Sequence, residues 1–292
     1  EFRVDAVPFQ NKDWRVGVYF NIAHNENKIT EMPDNYIEEN YTFGNGNYAY
    51  RREEGRPMGS FYGYRYKGVY QNKDATYARD IEGNVMKDIS GNAIVMRNGS
   101  YTVAPGDAIY EDVNHDGVIN QYDIVYLGNS NPRLTGGAGL NVSYKQFKLS
   151  AIFYGRYGQD VVNATRLNNE SMRGIDNQST AVLRRWRNEG DQTDIPRALY
   201  GEGYNTLGSD RFVEDASYLR LKSLSFTYRL PKKAIQRWGF NNIDVYVTGY
   251  NLFTWTKYTG QDPEVKTENT YARDTATTPA SIQLVAGFNL SF

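Results

Sequence analysis

The sequence predicts an all-β fold: an antiparallel sheet that forms part of a membrane-spanning barrel with long extracellular loops. Three observations support this prediction. The final segment alternates like a strand and runs to the last residue, six further segments have strand-like patterns, and short and long connections follow one another in strict order. No apolar run approaches the ~18 residues that a membrane-spanning helix needs, whereas barrel strands are only half apolar.

The last twelve residues have a period of two, which is typical of a strand with one apolar face. The even positions are apolar and the odd positions are mostly small or polar: Ile282, Leu284, Ala286, Phe288, Leu290 and Phe292 alternate with Ser281, Gln283, Val285, Gly287, Asn289 and Ser291. A tilted strand of about ten residues crosses a bilayer. We expect the apolar set to face lipid and Phe292 to act as a C-terminal assembly signal. The last strand of a soluble β-sandwich is the alternative.

Six other segments are predicted to be strands from alternation or from apolar and β-branched residues between turn signals. With the final segment, the predicted strands cover about 1–9, 14–24, 134–144, 147–158, 217–230, 242–253 and 281–292. The clearest hairpin turns at Lys145-Gln146, so that Tyr144 opposes Phe147 and both apolar sets share one side. Polar positions of these strands are expected to line the lumen, such as Asn141, Ser143, Gln283 and Asn289.

The connections between the predicted strands alternate strictly in length. The short ones cover 10–13, 145–146 and 231–242, and the long ones about 25–133, 159–216 and 254–280. Bacterial outer-membrane barrels have short periplasmic turns and long extracellular loops, whereas a sandwich has no reason to sort its connections. A short helix is also predicted at 180–187, with Val182, Leu183 and Trp186 on one face.

Residues 112–123 have the ligand spacing of an EF-hand-type calcium loop. Oxygen donors stand at alternate positions and Gly117 permits the sharp turn; the candidate ligands are Asp112, Asn114, Asp116, Val118 through its carbonyl, Asn120 and Asp123. The last ligand is Asp rather than Glu, as in dockerin-like loops, and no helix enters the loop. We expect a structural Ca²⁺ that stiffens the loop. The alternative is an Asx-rich turn without metal.

The sequence contains no recognisable enzyme site, and we predict that the protein is not an enzyme. His24 and His115 are the only histidines, the chain has no cysteine, and no phosphate-binding glycine motif is present. No spacing of carboxylates demands a glycosidase, so a glycosidase carried by the loops is the weaker alternative. The net charge of −1 gives no reason to expect nucleic acid. Candidate contacts to a glycan or a peptide, as against packing or girdle roles, are Tyr62, Trp186, Tyr204, Trp255 and Tyr258.

Motifs spread in order along the chain resemble SusC/RagA-type TonB-dependent outer-membrane transporters. They lie at 59–64, 112–123, 128–132, 209–222, 228–233, 251–258 and 260–265, and include Tyr218-Leu219-Arg220-Leu221-Lys222 and Gly260-Gln261-Asp262-Pro263-Glu264. The resemblance covers nearly all of the chain, and the occurrence of the motifs together and in order makes it specific.

This resemblance implies a barrel of about 22 strands with an N-terminal plug, energised through TonB. Such a transporter imports oligosaccharides or oligopeptides across the bacterial outer membrane together with a SusD-like surface lipoprotein. The plug, the TonB box and most of the strands are not in this chain, so we expect it to be the C-terminal part of the barrel of a longer protein. The alternative from another class is a secreted, calcium-containing, carbohydrate-binding β-sandwich.

Overall fold

Seven long strands form one antiparallel sheet in which chain order is also spatial order. The structure is a computed structural model, and it describes residues 1–33, 47–49, 52–265, 267–268 and 271–292, with the backbone alone for 267 and 268. The seven strands are β1 (Phe2–Gln10), β2 (Trp14–His24), β3 (Leu134–Tyr144), β4 (Phe147–Tyr157), β5 (Tyr218–Arg229), β6 (Asn242–Thr256) and β7 (Gln283–Ser291). Each overlaps one predicted segment, and the largest difference is at the end of β6, which runs three residues further.

The register aligns apolar side chains in rows that cross the whole sheet. One such row contains Phe9, Val16, Val142, Leu149, Phe226, Val247 and Ala286. Because side chains alternate along a strand, the row beside it lies on the opposite face. That row contains Gly17, Asn141, Ser150, Ser225, Thr248 and Val285. The sheet therefore has an apolar face and a polar face, and the predicted lumen residues Asn141, Ser143, Gln283 and Asn289 all fall on the polar one.

Polar side chains on the polar face bind one another across strands. The Ser150 hydroxyl donates to Asn141 Oδ1 at 2.8 Å, and the hydroxyls of Ser225 and Thr248 are 2.7 Å apart. The ring of Tyr19 lies over Gly139 on the neighbouring strand, where any Cβ would overlap it. This aromatic covering of a bare glycine closes the space that the missing side chain leaves and keeps the register.

The apolar face is exposed and carries aromatic rings near both ends of the strands. Leu284 is 75% and Phe288 67% exposed. Near the short turns, the Trp14 and Tyr144 rings are 4.3 Å apart. At the other end, Phe153 and Trp255 are 6.5 Å apart. On β2 these two levels are at Trp14 and Ile22, about 26 Å apart along the strand. At the ~40° tilt of barrel strands this corresponds to about 20 Å along the membrane normal, somewhat less than the ~25 Å apolar band of outer-membrane barrels.

Strand β5 carries a β-bulge at Lys222. Its register with β4 shifts where Ile152 pairs with Ser223 and Phe153 with Leu221, and its register with β6 shifts at the same level. Ile152 itself stays in regular register with β3, so this apolar side chain lies on the polar face. Lys222 is left without a register partner on either side. A bulge of this kind redirects a side chain, and here the redirected ammonium group reaches the third long connection.

In their described parts, the connections contain short elements. The strands are Ser60–Gly63, Tyr66–Val69, Arg97–Asn98, Tyr101–Thr102, Ala108–Tyr110, Val125–Asn129, Asp160–Asn163, Val213–Asp215, Thr267–Glu268 and Tyr271–Asp274; the α-helices are α1 (Ala164–Asn169) and α2 (Lys232–Ile235); the 3-10 helices are Asp74–Thr76, Gln121–Asp123, Thr180–Arg184, Tyr204–Thr206, Asp210–Phe212 and Gln236–Trp238. In the part of the chain that the structure describes, no helix has the length and hydropathy to cross a membrane.

The helix predicted at 180–187 is shorter and of another type than the sequence indicated. It is a 3-10 helix that ends at Arg184, so Trp186 lies beyond it. Val182 is buried whereas Leu183 is exposed, because i→i+3 bonding turns these side chains to different sides. The predicted shared face is therefore wrong.

The largest buried core lies in the long connections and not on the sheet. It is rich in tyrosine: Tyr62, Tyr64, Tyr70, Tyr110 and Tyr204 are all buried in one cluster. The Tyr101 and Tyr204 rings stack at 5.2 Å, and the Tyr110 and Tyr204 rings meet edge to face at 5.4 Å. The first long connection is thus folded rather than extended, although its residues 34–46 and 50–51 lie outside the described part. We call the described residues of the three long connections the loop layer.

Candidate functional site

Arg220 joins the polar face of the sheet to the third long connection. Its side chain is only 3% exposed. The guanidinium donates to Asp262 Oδ1, to Glu264 Oε2 at 2.8 Å and to Thr254 Oγ1 at 2.8 Å. The ammonium of Lys222, redirected by the bulge, donates to the same Glu264 oxygen at 2.8 Å. We call these four charged residues, two on β5 and two on the connection, the Arg220 anchor.

Asp262 links both ends of that connection to the anchor. Its Oδ1 accepts the Glu264 backbone N–H at 2.9 Å, and its Oδ2 accepts the Ala280 N–H at 2.9 Å, just before β7. Burial alone would raise the pKa of Asp262, but these two N–H donors and Arg220 outweigh it and hold the pKa below its usual range. The Asp262 carboxylate therefore holds two parts of the third long connection, at Glu264 and at Ala280, at the same place on the sheet.

Cations and phenol rings surround the anchor on the polar face. Arg156 Nε donates to the Tyr154 hydroxyl at 3.2 Å, and the ring of Tyr154 is 6.2 Å from that of Tyr218. The Lys222 ammonium lies 5.7 Å from the centre of the Tyr154 ring. Tyr218 is only 5% exposed, and its buried hydroxyl has no hydrogen-bond partner among the described residues, so it packs beside Tyr154 and does not meet solute. The half-buried Tyr154 ring and Arg156 guanidinium offer a stacking face, donors and positive charge, which suits ligands with carbonyl, hydroxyl or carboxylate groups.

Two further buried ion networks bind the long connections to one another. Glu214, just before β5, accepts from Arg166 of α1 at 3.2 Å and from the Thr259 backbone N–H at 2.8 Å, which joins the second connection to the third. Asp107, fully buried, accepts from Arg197 at 2.7 Å and so joins the first connection to the second. Because breaking a buried pair leaves an uncompensated charge, these networks favour one arrangement of the loop layer.

A polar cavity of about 520 Å³ lies where the end of β2 meets the first long connection. Its lining combines charges of both signs with amides and one phenol ring, including His24, Lys28, Tyr126, Arg133 and Asp160. Burial raises the pKa of Asp160, which the Asn129 backbone N–H, a donor at 3.1 Å, opposes only in part. The cavity can hold a ligand with several hydrogen-bonding groups.

The aromatic residues that the sequence singled out do not meet in one site. Tyr62, Tyr204 and Tyr258 are at most 6% exposed, so in this structure they pack and do not contact solute. Trp186 packs against Gly106 in the loop layer, and Trp255 lies on the apolar face. The sequence could not separate packing tyrosines from ligand-binding ones, because both roles use the same amphipathic ring.

The predicted calcium loop adopts the turn that its spacing requires. Gly117 has φ +79°, and the Asp112 carboxylate accepts the Asp116 and Gly117 backbone N–H groups at 3.2 and 2.8 Å. Asp116 accepts the Val118 N–H at 2.8 Å. Asp112, Asp116 and Asp123 are near enough for the first two charges to add to burial in raising the pKa of Asp123.

The fit of this loop to a cation is partial. Both oxygens of Asp123 accept backbone N–H groups, from Val113 and Asn120 at 2.8 Å each. The amide nitrogens of Asn114 and Asn120 donate to the Asp116 carboxylate, and Asn114 Oδ1 accepts the Asp116 backbone N–H at 3.3 Å. Across the described ranges, no three His, Cys, Asp or Glu side chains form a ready metal cluster. The six predicted donors still lie in one loop, and rotation of the two amides would turn oxygens inward.

The chain is similar in sequence to curated TonB-dependent receptors. It is 32% identical to TonB-dependent receptor P3 of Formosa agariphila in an alignment 276 residues long that covers 92% of this chain and 25% of the receptor. It is 27% identical to TonB-dependent receptor SusC of Bacteroides thetaiotaomicron in an alignment, gaps included, 301 residues long that covers 100% of this chain and 26% of SusC. This chain thus spans about a quarter of the length of these relatives. No family model matches it.

The fold is similar to solved structures of RagAB. The RagAB peptide transporter aligns with a TM-score of 0.73 and 27% identity over 99% of this chain and 28% of that one. The RagAB peptide importer in its 'open-open' state aligns with a TM-score of 0.66 and 25% identity over 99% of this chain. These comparisons confirm the all-β class and the predicted resemblance to SusC/RagA-type TonB-dependent transporters, for the part that this chain covers.

Replacing Arg220 should release the third long connection from the sheet. In Arg220→Met, the carboxylates of Asp262 and Glu264 lose their buried partner, and we expect local opening of residues 257–265 to become easier by about 3 kcal/mol. Hydrogen exchange at pH 7 measures this. The control is Arg229→Met on the same strand, where the side chain is 59% exposed and the pair with Asp244 contributes at most about 1 kcal/mol.

The same anchor has a predicted pH dependence. Because the pKa of Asp262 is lowered in the fold, its contribution to stability is present at neutral pH and is lost as the pH falls through that lowered value. Protection of 257–265 should therefore persist down to about the ordinary aspartate pKa of 3.8 and fall below it. Equal protection in Arg220→Met and wild type at pH 7 would show that the anchor does not hold the connection.

Proposed function

We propose that this chain forms part of the wall and of the extracellular loop layer of a TonB-dependent transporter in the bacterial outer membrane. The observation that carries the proposal is the two-faced sheet, with an exposed apolar face crossed by continuous rows and a polar face joined to folded loops. Only a closed arrangement of such strands satisfies every backbone group in lipid. The remaining strands of the barrel would pair with β1 and β7, which are the edges of this sheet.

In this proposal the two faces have separate tasks. The apolar face contacts lipid, and the aromatic rings at its two ends lie at the two membrane interfaces. The polar face lines the path of the substrate, and the half-buried Tyr154 and Arg156 beside the Arg220 anchor offer the substrate a ring face and a positive charge near the loops. The chain's own residues would then bind and orient substrate, while TonB supplies energy through a plug.

Substrate and partner follow from the same surfaces. We propose oligosaccharides or oligopeptides, because the polar face and the 520 Å³ cavity offer phenol rings, amides and charges of both signs. RagAB is described as a peptide transporter, which favours peptides for this chain as well. A SusD-like lipoprotein would close over the loop layer, whose buried ion networks give it a fixed surface for docking.

The secreted β-sandwich has less support. A sandwich buries the apolar face of one sheet against another, about 10 Å away. Here Leu284 and Phe288 are exposed, and among the described residues no second sheet covers the seven-stranded one. We propose a transport role without an enzymatic activity of its own, because the curated relatives are receptors and the similar solved structures are transporters.

Uptake by living cells tests the transport proposal. We expect accumulation of labelled oligosaccharides or oligopeptides above the porin limit to require this protein and to stop when TonB is inactivated. Uptake of a monosaccharide or single amino acid that porins admit is the control and should not change. Accumulation that continues without TonB, or protein found in the culture medium without detergent, would contradict the proposal.

We further propose that residues 112–123 bind a structural Ca²⁺ through Asp112, Asn114, Asp116, Asn120, Asp123 and the Val118 carbonyl. Bound calcium would neutralise the neighbouring carboxylates and stiffen the loop. The loop is tied to the adjacent hairpins, because the Gly117 carbonyl accepts the Arg97 N–H at 3.2 Å and the Arg97 carbonyl accepts the Ile119 N–H at 2.8 Å. Stiffening would thus extend to the tyrosine core of the first connection.

Calcium should measurably order this loop. Titration with Ca²⁺ should slow hydrogen exchange at 112–123, and Asp116→Ala should remove the effect because it deletes the central carboxylate. Asp80→Ala is the matched control, since Asp80 caps a nearby turn by accepting the Asn84 N–H at 2.8 Å but is no candidate ligand. If chelation and Asp116→Ala both leave exchange unchanged, the loop is an Asx-rich turn without metal.

The last residue, Phe292, is proposed as an assembly signal for barrel insertion. Its ring is 4.9 Å from Phe240 in the short connection before β6 and is otherwise exposed. It lies at the short-turn end of the sheet, where the edge strand β7 remains open to pairing.

A further inference from the structure

The apolar face contains an open groove of about 720 Å³ at the end of the sheet nearest the loop layer, and its lining is mostly apolar. The floor is formed by the register partners Gly136 on β3 and Gly155 on β4. Ala138 and its register partner Phe153 border this pair on one side, and Tyr157 borders it on the other. Two adjacent strands therefore present a gap one row wide, with no side chain on the apolar face, between the rings of Phe153 and Tyr157.

Larger side chains form the walls of the groove. Phe20 and Ile22 of β2 stand on one side, and Leu219 of β5 stands on the other. These walls are three strand spacings apart, or about 14 Å. Filling the floor with side chains is restricted, because a Cβ at Gly136 would lie 2.6 Å from the Asn21 carbonyl oxygen and one at Gly155 would lie 2.8 Å from the Tyr218 carbonyl oxygen. The close approach of the backbones thus maintains the groove.

We propose that this groove holds an acyl chain of a membrane lipid. The inference rests on the proposed function, since it takes the apolar face to lie in the bilayer. The groove is continuous with that face, so whatever fills it comes from the hydrocarbon layer. Water would lack hydrogen-bond partners against an apolar lining, and an empty groove would forfeit the dispersion contacts of its walls.

The position of the groove beside the loop layer favours a lipid of one leaflet. Its loop-side end is bordered by Lys257, which is exposed, and by Asp215, whose carboxylate accepts the Ser217 backbone N–H at 2.8 Å within its own turn. The exposed Lys257 ammonium can meet a lipid phosphate at this border. An acyl chain in the groove with its headgroup at Lys257 satisfies both ends.

Photo-crosslinking of the full protein in proteoliposomes tests the proposal. The probe is phosphatidylethanolamine with a diazirine on one acyl chain, and the readout is the adduct density on each peptide. We expect a higher adduct density on residues 134–138 and 153–157, which line the groove, than on residues 283–291 of β7. The even-numbered residues of β7 lie on the same apolar face but outside the groove. Ala138→Phe should lower the groove adducts about fivefold, equivalent to about 1 kcal/mol of retention.

Two variants control for misfolding and for general lipid contact. Ala286→Phe introduces the same side chain on the same face outside the groove, and it should leave the groove adducts unchanged. Leu219→Ala removes part of one wall at a half-exposed position and should also lower the enrichment. Even labelling along the whole face, no response to Ala138→Phe and Leu219→Ala, or crosslinks between two copies of the chain in place of lipid adducts would each overturn the lipid site.

The failure of this inference is distinguishable from the failure of the transport proposal. If β7 is labelled but the groove is not enriched, the face lies in lipid and only the lipid site is wrong. If neither β7 nor the groove is labelled, the apolar face does not lie in the bilayer, and both proposals are overturned.

Discussion

The backbone ladder of the seven-stranded sheet is the constraint from which the other features follow. Each strand pairs antiparallel with its chain neighbours, so a side-chain period of two is carried in register from Phe9 on β1 to Ala286 on β7. A slip of one residue in any strand would place polar groups on the apolar face. The glycine covered by Tyr19 and the bulge at Lys222 adjust this ladder locally without changing which face is apolar.

The loop layer depends on the sheet through a small number of buried charges. Arg220 is the main connection, because it stands on the polar face and binds two carboxylates of the third long connection. Glu214 and Asp107 extend the linkage to the second and first connections. Because the loop layer is held at these buried charges, it can keep a defined surface above the polar face of the sheet. Rearrangement of one connection would require a buried ion pair to break.

The sequence predicted the sheet well because alternation reports directly on which face is buried or exposed to lipid. The hairpin at Lys145-Gln146 and the alternating final strand are examples, whereas the bulge at Lys222 lies in β5, where the sequence pattern did not indicate it. The site was harder to predict. Arg220, Lys222, Asp262 and Glu264 all lie in motifs that the sequence analysis quoted, with opposite charges in separate segments, but periodicity carries no information on contacts 42 residues apart. The sequence left open whether Tyr62 and Tyr204 contact a ligand or pack, and in the structure both are buried. Composition alone does not distinguish a packing ring from a binding ring.

Accessibility of single cysteines on β7 tests the central claim most directly, because this chain contains no cysteine of its own. Cysteines at Leu284 and Phe288 lie on the apolar face, and cysteines at Gln283 and Asn289 lie on the polar face of the same strand. In outer-membrane vesicles, the account predicts that a water-soluble maleimide labels the 283 and 289 variants, whereas only a membrane-partitioning maleimide labels the 284 and 288 variants. Equal labelling of all four positions by the water-soluble reagent, or protection of 284 and 288 from both reagents, would contradict it.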